Sequence, residues 1–237
     1  MKAILGILFL CMSLTPVMAN PGTGTAQQRI QVSQILPVFT QLQVSGNIKV
    51  YLHSGNTTQV EAEIPEHLRE FFEMEVKEGV LFLTLNKSVN RFDMPVVNLT
   101  LSELNSITAD GNYFIRCEEK LKTNRMNIHL KGEGLLNLWL ETQDLKVELN
   151  QFAVAAIKGQ SQEAVIYGSQ SAQWRGQGLS AEKLFTSVSD NSQAIVNASR
   201  EGILLAENSG KIEYCGAGLF KSFTWGNGSV VQIPTIQ

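Results

Sequence analysis

The residues best equipped for covalent chemistry are the cysteines, and Cys215 stands between Tyr214 and Gly216 in "ENSGKIEYCGAG". A nucleophilic thiol needs a base or cation nearby to hold it as thiolate. Spacing supplies none: His53, His67 and His129 lie far along the chain from Cys117, from Cys215 and from one another. The same isolation argues against a zinc site, which favours close ligand pairs. Neither GxSxG nor GxxxxGK[ST] occurs, so no metal, nucleotide or other cofactor is expected. Carboxylate catalysis needs two acids within about 5–10 Å on one face. The adjacent pairs Glu118/Glu119 and Glu61/Glu63 read as solubilising loop acids. The aromatics Trp139, Trp174, Trp225 and Tyr167 could stack on sugar rings where exposed, or fill a core. N-x-[ST] matches at Asn56, Asn98, Asn197 and Asn227 arise by composition in a Ser-, Thr- and Asn-rich chain.

The elements that position these residues repeat. Small polar tetrapeptides, each followed by alternating apolar positions, recur as "ADGN" at 109, "KGEG" at 131, "NQFA" at 150, "SQSA" at 169, "SDNS" at 189, "ENSG" at 207 and "GNGS" at 226. The intervals are 22, 19, 19, 20, 18 and 19 residues. Such a period is too short for helix pairs and fits coils of a β-solenoid, each about 4.8 Å from the next. The fourth column (Asn112, Gly134, Ala153, Ala172, Ser192, Gly210, Ser229) holds small or short side chains, as a tight corner needs. Two and four positions on come mostly apolar residues, Phe114 to Val231 and Arg116 to Ile233, expected to face inward. The second column contains Gln151, Gln170, Asn208 and Asn227, expected to stack as a structural amide ladder.

This register places the chemistry. Asp110 and Asp190 share a column four coils apart, about 19 Å, too far to cooperate. Cys117 and Cys215 fall in a variable, mostly outward column five coils apart, about 24 Å, against the roughly 7 Å that a disulfide tolerates. Two free thiols are expected. Trp174 and Trp225 fall in inward columns; Trp139 falls in an outward one and is the aromatic to test for ligand stacking.

Ahead of the array, "FTQLQVSGNIKVYL" alternates around another corner, "SGNI" at 45, and Pro65 opens a short helical turn before "GVLFLTL". This opening block, with corners such as "ADGN" and "ENSG", resembles the "putative auto-transporter adhesin, head GIN domain" family of exported bacterial proteins. The resemblance spans about 39–233, and its corners depart at "NQFA" and "KGEG" from the usual Ser, Gly and Ala. It implies a right-handed parallel β-helix and transfers no binding residue.

The whole chain has 237 residues, a formal charge of -3 and no basic run, which argues against nucleic acid. Lys2, the apolar run Ala3–Leu14 and Val17-Met18-Ala19 read as a signal peptide cut near Ala19; the run is short for a membrane span, so none is expected in the mature chain. The expected organisation is a signal at 1–19, a flexible leader at 20–38, a β segment at 39–103 that starts or caps the solenoid, and parallel β-helix repeats at 104–237. The chain reads as a monomeric, exported module of the periplasm, outer surface or medium. Its expected role is binding, adhesion or structure toward a glycan or surface protein. The alternative is a carbohydrate-active enzyme, a lyase or hydrolase.

Overall fold

The computed structural model describes residues 28–90 and 92–234, so the expected signal peptide lies outside the described residues. The described chain is almost entirely strand: β1 (Arg29–Ile35), β2 (Gln41–Ser45), β3 (Lys49–Ser54), β4 (Gln59–Pro65), β5 (Phe72–Lys77), β6 (Val80–Leu85), β7 (Val96–Leu101), β8 (Ser106–Gly111) and β9 (Phe114–Gly132), then β10 (Leu135–Leu149), β11 (Val154–Gly168), β12 (Gln173–Val188), β13 (Gln193–Glu207), β14 (Lys211–Cys215), β15 (Leu219–Trp225) and β16 (Ser229–Gln232). The only described helix is one 3-10 segment, Glu66–Phe71, just after Pro65.

From β9 onward every neighbour pairs in parallel, which makes a β-solenoid of about seven turns. Following one register position gives Phe114, Leu135, Val154, Gln173, Gln193, Lys211 and Ser229. The steps are therefore 21, 19, 19, 20, 18 and 18 residues. The first and last differ by one from the expected 22 and 19. A one-residue slip reverses which face a strand residue points to, and the consequences are visible at both ends. Ile115 and Cys117 face the core in place of Phe114 and Arg116. Trp225, expected inside, is 53% exposed, as is Val231 at 49%.

The corners explain themselves locally. In "SQSA", "SDNS" and "ENSG" the two central residues both have positive φ (Gln170 59° and Ser171 67°; Asp190 53° and Asn191 65°; Asn208 46° and Ser209 68°). An N–H to C=O bond closes each turn from its fourth residue to its first. Those are the marks of type I′ turns, whose αL positions accept Asn, Asp and Gly most readily. The turns stack, but the ladder between them is backbone: Ser171 N–H donates to Asp190 O at 2.9 Å and Asn191 N–H to Asn208 O at 3.4 Å. The expected side-chain amide ladder is corrected accordingly. Gln151, Gln170 and Asn208 do share the column, with Gly226 (φ 57°) as its last member in place of Asn227.

The first part of the chain is assembled out of sequence order. β2 lies between β6 and β8, and β3 between β7 and β9, all parallel. The coil made of β2 and β3 is thus inserted between one formed by β6 and β7 and one formed by β8 and β9. Beyond it, β4 runs antiparallel to β7, β1 antiparallel to β4, and β5 antiparallel to β6. These strands form that end of the stack, with β1 and β5 outermost. Residues 29–35, expected as flexible leader, are the strand β1 here, with its backbone committed to β4 along its whole length.

The core is one continuous narrow column. Ile128, Val147, Ile166, Thr186 and Leu204 stack on one side, and Ile115, Leu136, Ala155, Trp174, Ala194 and Ile212 on the other, each 2% exposed or less. No single coil could bury such a set alone, which ties stability to stacking.

Candidate functional site

A second corner, on the far side of each coil from the tetrapeptides, builds an open surface groove. Its sequence signal is a triplet: "TNR" at 123, "TQD" at 142, "SQE" at 161, "AEK" at 181 and "SRE" at 199. Thr123, Thr142 and Ser161 are in register, and each hydroxyl donates to the carbonyl two residues on, at 3.1, 3.1 and 2.7 Å. Ser199 Oγ reaches back to Ala181 O at 3.3 Å. These hydroxyls satisfy backbone carbonyls where the strand bends, so their recurrence is structural. The residue after each hydroxyl, Asn124, Gln143 and Gln162, is thereby turned outward as an exposed row of amides. The tetrapeptide spacing drew attention to the other corner, although this triplet repeats at the same period.

The row lines an open groove of about 740 Å³ crossing several coils. Its walls add Gln160 and Ser180 and the charged Glu103, Lys122, Glu141 and Glu182; no lining side chain is apolar or aromatic. Glu141 is bridged by Lys120 at 3.2 Å and Lys122 at 3.5 Å. The hydrogen bond from Lys120, followed by the charge of Lys122, holds its carboxyl below the usual range. Glu148 is lowered in the same way by Lys146 at 2.7 Å, aided by His129 at 3.1 Å, and Glu119 by the Ser54 N–H at 2.8 Å, aided by His53.

Trp139 points outward and is half-buried. Its ring is flanked by ammonium groups from both neighbouring coils, Lys120 at 5.3 Å and Lys158 at 4.5 Å from the centroid. Lys120 touches both Trp139 and Glu141, which sets the indole at the rim of the groove. Trp174 is buried, and Tyr167, 41% exposed, packs 5.7 Å from Phe185 on a different face. Cys117 and Cys215 are both free, yet both are buried and not outward as their column suggested. Cys117 gained its inward position from the one-residue slip. Cys215 Sγ points to Val196 O at 3.6 Å, and burial pushes both thiols up, Cys117 to about 11. Among the described residues no cluster of three or more His, Cys, Asp and Glu side chains could hold a metal ion, and no helix is long and apolar enough to cross a membrane.

This stacked geometry coincides with a known family. The family model described as "Putative auto-transporter adhesin, head GIN domain" matches residues 38–218. The chain belongs to that family. No curated protein matches it. Solved structures share the fold of this head GIN chain. "A putative adhesin" from Bacteroides fragilis superposes with a TM-score of 0.76 at 19% identity, covering 89% of this chain and 99% of that one. A "putative lipid binding protein" from Parabacteroides distasonis gives 0.68 at 16%, covering 88% and 98%. A "putative adhesin" from the same species gives 0.65 at 20%, covering 88% and 98%. At such identities the likeness is one of fold. The head GIN match begins at residue 38, so β1 lies outside it and the antiparallel strand set of this end is only partly within it.

Proposed function

We propose that this head GIN chain is an exported envelope module that binds without catalysing, and that its ligand is a hydroxyl-rich polymer, a glycan, laid along the groove of the second corner. The observation that carries the reading is the groove's lining: a row of exposed amides at one-coil spacing, flanked by carboxylates and Lys122, with no apolar wall. Such a surface offers donors and acceptors to sugar hydroxyls and gives an acyl chain nothing to bury against, so the lipid-binding name of one structural relative is not carried over. Trp139 at the rim adds an aromatic edge whose faces are shared with two lysines.

A non-catalytic role is supported by the electrostatics. A glycosidase acid must stay protonated near neutral pH, which needs a raised pKa. Glu141, the groove carboxylate with a resolved shift, is lowered. Export is supported by the family's adhesin description and by Lys2 with the apolar run that follows it.

The test is a glycan and matrix-protein array probed with the purified chain, followed by titration of the best hit. Binding that drops at least tenfold in the Gln143→Ala/Gln162→Ala double variant, and several-fold in Trp139→Ala, supports the reading. Silence on every glycan and protein would leave a purely structural role. Release of reducing ends or unsaturated sugars during incubation would promote the enzyme.

A further inference from the structure

The two ends of the stack are built differently. At the end near β1 the outermost strands β1 and β5 run antiparallel to β4 and β6, each with one partner, beside the 3-10 segment, and exposed Glu66, Glu70, Glu73 and Glu75 charge that end. At the other end β15 pairs only with β13 and β16 only with β14, so one edge of each is open among the described residues. Open edges of soluble proteins are normally guarded by charge or proline. Here the guard is thin: between Tyr214 and Pro234 the sole charged residue is Lys221, whereas β9 alone carries seven Lys, Arg and Glu residues. The side chains flanking Lys221 are apolar and exposed, Leu219 at 82%, Phe223 at 48% and Trp225 at 53%.

We propose that this end coil is a homodimer interface, in which β15 pairs antiparallel with β15 of a second copy about a two-fold axis at Ser222. Four observations select a second copy as the occupant. The nearly uncharged surface does not repel itself. The outermost strands, β15 and β16, run consecutively from Leu219 to Gln232, so one continuous stretch of 14 residues faces the axis. The opposite end is acidic, with Glu66, Glu70, Glu73 and Glu75 exposed, so only the uncharged ends match, and a two-fold contact between them gives a finished pair and no filament. Finally, the sequence of β15 is self-complementary when reversed. Centring on Ser222 sets Leu219 opposite Trp225 and Lys221 opposite Phe223 on the outer face, and Phe220 opposite Thr224 on the core side. Each charge meets an aromatic ring, and each exposed aliphatic meets an aromatic, which are favourable cross-strand pairs. The interface is separate from the groove, so it stands or falls independently of the glycan reading.

Light scattering on the purified chain at about 10 μM is expected to return twice the chain mass. Phe223→Lys, which brings four lysines together at the axis, is expected to return the single mass with an unchanged circular dichroism spectrum. Ser222→Cys places a thiol opposite its own copy and should form a disulfide-linked dimer on mild oxidation, while Thr224→Cys should not. A single mass at 100 μM overturns the proposal. So does a dimer that survives Phe223→Lys, or a Thr224→Cys variant that crosslinks as fully as Ser222→Cys. Loss of glycan binding with the dimer intact would strike only the groove.

Discussion

The indole of Trp174 lies over Gly176: a β-carbon added at residue 176 would overlap Nε1, Cε2 and Cζ2 of the ring. The same device recurs between coils, where the ring of Tyr113 occupies the space in which a side chain at Gly134 would stand. A solenoid core is too narrow to widen for one large residue, so each ring is accommodated by a missing side chain beside it. Gly176→Val should therefore cost about 2–3 kcal/mol by overpacking, and Trp174→Ala about 3–5 kcal/mol by leaving a cavity. The double variant should be less destabilised than the sum by about 1 kcal/mol or more. Urea denaturation of the four proteins closes the cycle; strict additivity would show that the two sites do not share space.

Thr186 is fully buried in a column otherwise occupied by Ile128, Val147, Ile166 and Leu204, and its hydroxyl has no hydrogen-bond partner among the described residues. A buried hydroxyl without a partner costs about 1–3 kcal/mol of desolvation. Thr186→Val keeps the branched shape and removes that cost, so an increase of about 1 kcal/mol in unfolding free energy is expected. A decrease would mean that the hydroxyl is satisfied after all, by bound water.

Burial raises the Cys117 thiol from an ordinary 9.0 to about 11. The folded state thus keeps a proton that the unfolded chain gives up. The corresponding stability is fully present below pH 9 and declines as pH rises from 9 toward 11, by about 2–3 kcal/mol at most for two pH units. Cys117→Ala should flatten much of the fall in unfolding free energy over that interval, with a remainder from Cys215 and Tyr113, which are also raised. An Ellman reaction at pH 8 should find neither thiol accessible until denaturant is added.

Gly132 sits at φ 94°, and a β-carbon on it would run into the carbonyl oxygen of Gly111 in the preceding coil. Gly79 also has a positive φ, 76°, but open space around it. Gly132→Ala should accordingly lose about 3 kcal/mol or more, since strain and collision add, and Gly79→Ala only about 1 kcal/mol from backbone strain. Equal losses from thermal melts would show that the close stacking of the Gly111 and Gly132 corners is not what limits this position.

The sequence revealed the solenoid most clearly between Asn150 and Gly210, where αL turn residues and small corner side chains fall at steps of 18 to 20. Both ends of the array slipped by one residue for identifiable reasons. At the first corner Tyr113 takes the position held elsewhere by Gly134 or Ala153, an aromatic where the pattern shows only small residues. Gly134 makes room for its ring, and that compensation is visible only when two coils are stacked. At the last corner, "GNGS" offers glycine at two alternate positions, and small side chains alone cannot say which closes the turn as its fourth residue. Gly228 does, because a β-carbon there would meet the Ala206 carbonyl, and the shift carries Trp225 to the surface. The groove was harder to see. Its hydroxyl-amide triplets hold for three coils before giving way to "AEK" and "SRE", they interrupt no strand, and they contain neither glycine nor proline to mark a bend. The order of the early coils was not legible, since β2 meets partners 39 and 65 residues away with no period linking them.

That displaced coil also sets a timetable. In the array each coil finds its neighbour about 19 residues on, whereas Gln41 must wait for Ser106. Closing a 65-residue separation costs about 1 kcal/mol more chain entropy than closing a 19-residue one. Residues made first are therefore among the last to settle, and they settle onto a platform that later residues must already have provided. A chain interrupted before residue 106 has β6 and β7 for one edge of β2 and β3 and nothing for the other, and that edge stays open to chaperones and proteases. The protein's first forty residues of fold depend on the arrival of its middle.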